Sequence, residues 1–129
     1  WIGKFDKVLL DAPCSGLGIM KRKPDIRLHK TKDDLKEIVE IQKALFKNAV
    51  QYLKPNGKLV YSTCTISYEE NELIIKEAIS EYGLELENIV DTIPKLIQSS
   101  VKEQGMIQIL PNMAGTDGFF IASLKRRSF

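Results

Sequence analysis

Phe5-Asp6-Lys7-Val8-Leu9-Leu10-Asp11-Ala12-Pro13-Cys14-Ser15-Gly16-Leu17-Gly18 is a short apolar run that breaks into a loop rich in Pro and Gly. Val8, Leu9 and Leu10 stand side by side, and such a run suits a strand buried on both faces, as in a parallel sheet. Lys58 to Ser62 repeats the pattern: Leu59, Val60 and Tyr61 run together and lead into Thr63-Cys64-Thr65. Between the two runs, Asp33 and Asp34 place negative charge where a helix N-terminus favours it. Leu35, Ile38, Val39, Leu45, Phe46, Ala49, Val50 and Leu53 then recur at helical spacing, with Gln42 as the gap in the stripe. Lys54-Pro55-Asn56-Gly57 is expected to stop this helix by a Pro break and a turn. Strand, helix and strand make a βαβ unit, which is parallel and right-handed.

Ser67-Tyr68-Glu69-Glu70 has capping-box spacing, with Ser67 as the cap and Glu70 three residues later. The helix it opens carries Asn71, Ile74, Ile75, Ala78, Ile79 and Tyr82 on one face, and Gly83 ends it. Leu84 and Leu86 alternate with Glu85 and Glu87 as in an edge strand, and residues 92–105 read as irregular. Met106 to Leu110 and Phe119 to Leu124 read as strands joined through Pro111 to Gly118, with Asp117-Gly118 as the turn signal. The expected order is β-α-β-α-β-β-β: one α/β domain, its sheet mostly parallel with an antiparallel end.

Composition narrows the classes. With 129 residues, 43% of them hydrophobic, the chain can bury a core and is not a disordered tail. No apolar stretch is long enough to span a bilayer. Two cysteines are too few for a disulfide scaffold, so free thiols in a reducing, cytoplasmic setting are expected. The chain begins at Trp1, close ahead of a strand, and reads as a piece of something longer. Lys+Arg number 19 against 17 Asp+Glu, and the net +2 matters less than where the charge lies. Lys21, Arg22, Lys23, Arg27, Lys30 and Lys32 cluster with His29 and one acid, Asp25. Such a segment suits phosphate contacts, or is simply a solvated lysine-rich loop.

Each cysteine follows the carboxyl end of one of the two parallel strands, the rim where open α/β sheets bind ligands. If those strands are neighbours, both thiols share that rim with Asp11, which opens the loop of Cys14. A lone free Cys is most often a small buried hydrophobe. Two at matching strand ends, in polar company, point further. Two thiols with His29 and no CxxC spacing make a poor zinc set, and no metal is expected. A disulfide is the other alternative. A soft nucleophile placed here suits attack on an electron-poor ring carbon, such as carbon 6 of a pyrimidine.

These residues also resemble a family. Asp11-Ala12-Pro13-Cys14-Ser15-Gly16-Leu17-Gly18, followed by Arg22-Lys23-Pro24-Asp25-Ile26, is similar to motif IV of the Sun (Nop/Sun, RsmB-like) RNA cytosine-5 methyltransferases. Tyr61-Ser62-Thr63-Cys64-Thr65 with Glu69-Glu70-Asn71-Glu72 is similar to their motif VI. Gln108-Ile109-Leu110-Pro111 through Asp117-Gly118-Phe119-Phe120-Ile121-Ala122 resembles their closing motif. The resemblance implies the C-terminal half of a Rossmann-like, class I S-adenosylmethionine-dependent methyltransferase fold. Over residues 1–129 it would supply strands four to seven, in the order 4-5-7-6, without the N-terminal half that holds most of the cofactor. It also implies that Cys64 attacks carbon 6 of a cytosine in RNA, ribosomal RNA foremost, and that Cys14 helps remove the carbon-5 proton. Asp11 and Pro13 would lie beside the cofactor, and Lys21, Arg22, Asp25 and Arg27 on the RNA side.

Against this stands a non-catalytic RNA-binding module with structural cysteines, using the Lys21–Lys32 segment and Lys125-Arg126-Arg127. A thiol–disulfide protein is a third reading, without the CxxC spacing it favours. An unpartnered edge on the first strand would favour self-association through Val8, Leu9 and Leu10.

Overall fold

Eleven residues, Leu53–Thr63, form the strand around which the molecule is built. The computed structural model describes residues 1–15, 32–89, 101–103, 105–110 and 118–127. In chain order these contain β1 (Phe5–Asp11), α1 (Lys32–Tyr52), β2 (Leu53–Thr63), α2 (Glu72–Tyr82), β3 (Leu84–Leu86), β4 (Val101–Glu103), β5 (Met106–Ile109) and β6 (Phe119–Arg126). The sheet order is β1-β2-β6-β5-β4, and β3 also pairs with β6. Two short strands therefore share one edge of β6: β5 pairs with Phe119 to Ala122, and β3 with Leu124 to Arg126. The α/β class and the βαβ start are as expected. The balance of the sheet is not, since β1–β2 is parallel and the other described pairings are antiparallel.

Both helices lie on one face of the sheet. Phe46, Ala49 and Val50 of α1 and Ile74, Ile75 and Ala78 of α2 close over Leu59, Tyr61, Phe120, Ala122 and Leu124 in a single core. Phe46 stands 5.5 Å from the ring of Tyr61 and stacks on Tyr82 at 6.3 Å. Burying each large apolar side chain here stabilises by about 1.5–3 kcal/mol. The expectation that β1 is buried on both faces is corrected: Val8 and Leu10 pack against the core, but Leu9 is 70% exposed on the opposite face. No helix of the described residues covers that face, where Lys7, Leu9, Lys58, Val60 and Ser123 line a groove of about 720 Å³.

Three local expectations also change. Lys54-Pro55-Asn56-Gly57 does not end the helix as a free turn; α1 stops at Tyr52 and these residues bulge out of β2 opposite Asp6 alone. Asn56 takes the left-handed conformation (φ 66°) at the crest. A Cβ on Gly57 would come within 2.8 Å of the Lys54 carbonyl, so the close return needs glycine. Ser67 does not cap α2. Its carbonyl accepts the N–H groups of Glu70 and Asn71 in a turn, and the helix begins at Glu72. The stretch read as irregular contains β4, paired with β5. Gly83 does end α2 in the left-handed conformation, as its sequence position implied.

Candidate active site

The parallel register of β1 and β2 sets the site. Asp11 lies opposite Ser62, the Ala12 N–H donates to the Ser62 carbonyl at 2.9 Å, and the Ser62 hydroxyl donates to Asp11 Oδ1 at 3.0 Å. The two chains leave the sheet together, and the Sγ atoms of Cys14 and Cys64 meet at 3.0 Å as half-buried free thiols. Either can donate to the other. Pro13 is exposed at the same rim, with its carbonyl accepting the Gln42 amide at 2.9 Å. Lys21, Arg22, Asp25 and Arg27 lie outside the described residues, as does the rest of the basic segment up to Lys30.

Beneath the thiols is a carboxylate that sequence reasoning assigned to a helix cap. Glu70 is fully buried. Its Oε1 accepts the Ser15 N–H at 2.7 Å and the Gln42 amide at 3.2 Å, and its Oε2 accepts the hydroxyls of Ser15 at 2.7 Å and Thr65 at 3.0 Å. An uncompensated buried charge would be very costly; four neutral donors compensate this one. The next residue faces the other way. Asn71 Oδ1 accepts the Thr63 hydroxyl at 2.6 Å, and its amide donates to the Thr65 carbonyl at 2.9 Å and to Gln108 Oε1 on β5 at 3.0 Å. Gln108 in turn donates to the Phe119 carbonyl at 3.0 Å, so the loop of Cys64 is tied to both β5 and β6. The Tyr61 hydroxyl donates to the Glu70 carbonyl at 2.7 Å. Burial first, then the negative charge of Glu70 and of Cys14, push Tyr61 far above the ordinary tyrosine range, so it stays a donor.

The sequence did carry a signal for this network: Gln42 interrupts an apolar helical stripe, and Asn71 sits on a buried face. A polar residue at such a place needs an internal partner. Among the described residues no three His, Cys, Asp or Glu converge as a metal set, and no helix is long and apolar enough to cross a membrane.

Known proteins place the chain. The family described as 16S rRNA methyltransferase RsmB/F matches residues 1–125. The chain belongs to the RsmB/F methyltransferase family. It is 40% identical to the probable ribosomal RNA small subunit methyltransferase B of Bacillus subtilis (strain 168), over 96% of this chain and 28% of that protein. Among solved structures it resembles NSun6 from Pyrococcus horikoshii, determined with SFG, at TM-score 0.77 and 34% identity, over 98% of this chain and 31% of that one. A methyltransferase homolog protein from Pyrococcus horikoshii superposes at TM-score 0.71 with 32% identity, over 95% of this chain and 39% of that one. The fold is accordingly part of the class I methyltransferase fold. The chain spans about a quarter of the length of the curated RsmB/F relatives it matches.

Proposed function

We propose that this chain is the thiol-bearing part of an enzyme that methylates carbon 5 of cytosine in RNA, ribosomal RNA foremost, through a cysteine-linked intermediate. The observation that carries the reading is the 3.0 Å approach of two thiols from different loops at the carboxyl rim of a parallel strand pair. Carbons 5 and 6 of cytosine are adjacent ring atoms, so one ring set over this pair is within reach of both sulfurs. Cys64, in the motif VI position, adds as thiolate to carbon 6; the electron pair of the 5,6 double bond moves to carbon 5, which becomes nucleophilic. Once carbon 5 carries the methyl group, Cys14, in the motif IV position, takes the carbon-5 proton onto its sulfur as a thiolate. The electrons of that C–H bond re-form the double bond as the Cys64 sulfur–carbon bond breaks.

S-adenosylmethionine, when bound, supplies the methyl group that ends on carbon 5. SFG, an analogue of that cofactor, accompanies the NSun6 structure. Asp11 fits a place beside it: an exposed carboxylate at a strand end, aimed by the Ser62 hydroxyl, is an acceptor for a cationic or N–H-bearing group. Pro13, exposed next in the loop, would complete that wall. The cofactor's other contacts, in this reading, come from the part of the relatives' length that this chain does not span. Lys21, Arg22, Asp25 and Arg27 are proposed to face the RNA.

In the full-length enzyme Cys64→Ala is expected to abolish methyl transfer by at least about 1,000-fold. Cys14→Ala should instead accumulate a covalent enzyme–RNA adduct, visible as a shifted band on a denaturing gel. Exchange of the two phenotypes would overturn the assignment of roles. Strongly salt-dependent RNA binding with no thiol reactivity would favour the non-catalytic binding module instead.

A further inference from the structure

Taking the two thiols as the catalytic pair proposed above, we infer that Glu70 is the residue that positions them, by bolting the Cys14 loop to the Cys64 loop through its side chain. Cys14 and Cys64 leave different strands, and β-sheet pairing ends before either of them: the last β1–β2 partners are Asp11 and Ser62. Beyond that point the two loops are joined side by side through the residues that follow the thiols. Ser15, next to Cys14, gives Glu70 both its N–H and its hydroxyl, and Thr65, next to Cys64, gives its hydroxyl. The Ser15 and Thr65 hydroxyl oxygens are themselves 3.0 Å apart, matching the spacing of the two sulfurs. Gln42 closes the fourth side by holding the Pro13 carbonyl and Glu70 Oε1 with one amide.

Glutamate suits this position because two oxygens accept four donors at once. Glutamine would keep most of that geometry without the charge. Its oxygen takes the Ser15 N–H and the Gln42 amide, and its amide donates to the two hydroxyls, which rotate to accept. Alanine leaves all four donors without a partner. The bolt thus acts through geometry, and the conservative variant preserves it.

The test reads thiol spacing directly in the 129-residue chain. The reduced protein is treated with excess 4,4′-dithiodipyridine, an aromatic disulfide. One thiol attacks it, giving a mixed disulfide and one thiopyridone. The second thiol then displaces another thiopyridone to close Cys14–Cys64; two protein thiols are oxidised and one reagent disulfide is reduced. That second phase is independent of reagent concentration and measures how well the sulfurs are held together. Glu70→Ala is expected to slow it at least about ten-fold, as ångström-scale misplacement slows other intramolecular reactions. Glu70→Gln should stay within about three-fold of the parent, and Leu84→Ala, a core lesion distant from the site, should leave the rate unchanged. Closure in Glu70→Ala at the parental rate, equal slowing by Leu84→Ala, or no rescue in Glu70→Gln would each overturn the assignment. If Glu70→Ala does not fold, Ser15→Ala, which deletes one hydroxyl arm, must slow closure at least about three-fold; an unchanged rate overturns it too. Neither RNA nor methyl donor enters this assay, so its result stands apart from the phenotypes of Cys64→Ala and Cys14→Ala.

Discussion

Tyr61 shows how one side chain links the core to the site. Its ring is buried between Phe46 and Phe120, and its hydroxyl holds the Glu70 carbonyl. Its folded-state pKa is raised above the ordinary 10.0, so the folded protein keeps a proton that the unfolded chain gives up. The sign follows from linkage: the contribution of Tyr61 is fully present below about pH 10 and is lost as pH rises beyond it, by up to about 1.4 kcal/mol per pH unit. Tyr61→Phe should cost about 1–2 kcal/mol at neutral pH through the lost hydrogen bond, yet flatten the alkaline decline in urea unfolding. A decline of parental steepness in Tyr61→Phe would place its origin elsewhere; Tyr82, raised by partial burial and by Glu81, also contributes. At this scale the thiols and Asp11 were legible in the sequence, because strand ends and loop composition announce them. Glu70 was not. Its spacing from Ser67 satisfies the capping-box pattern equally well, and only the inward turn at residues 67–71 decides between a surface cap and a buried acceptor.

Elements were legible wherever hydrophobic period and chain punctuation agreed. β1, α1, the end of α2 at Gly83, and the β5–β6 pair all have both signals. The limits of β2 and α2 do not, since tertiary partners set them: the bulge at Lys54–Gly57 is held inside the strand by Asp6 opposite, and α2 starts late because Glu70 and Asn71 turn inward. The stripe of α1 is where pattern and partner conflict. Gln42 breaks it and is buried, donating to Pro13 and Glu70 while its own Oε1 has no partner among the described residues. Gln42→Leu would complete the apolar stripe but strip one donor from a buried carboxylate and free the Pro13 carbonyl. We expect a net loss of about 1–3 kcal/mol in chemical denaturation, opposite in sign to what helix propensity alone implies. A gain in stability would mean that burying the Gln42 amide costs more than its two bonds return.

For the molecule as a whole, all the described helix cover lies on one side. Trp1 and Ile2 are 84% and 72% exposed, and Leu9 stands out from the uncovered face of an end strand. Exposed apolar groups beside an edge that is unpaired among the described residues favour association, so the chain is expected to self-associate with rising concentration in sedimentation velocity runs. Leu9→Lys should return it to a monomer, and a parent that stays monomeric at high concentration would refute the expectation. The continuous Val8-Leu9-Leu10 run suggested burial on both faces; which faces are covered depends on where helices fall, and no single strand encodes that.

The crossover from β1 through α1 to β2 has one more consequence, for the order of folding. Cys14 meets Cys64 across 50 positions of chain, and Ser15 meets Glu70 across 55. Contacts of such separation carry their loop-closure entropy before they return any energy, so they form late and together. A nascent or partly melted chain can hold α1 and α2 and still possess no site. The thiols become neighbours only when β1 and β2 pair, and their approach therefore marks the moment at which the site comes into being.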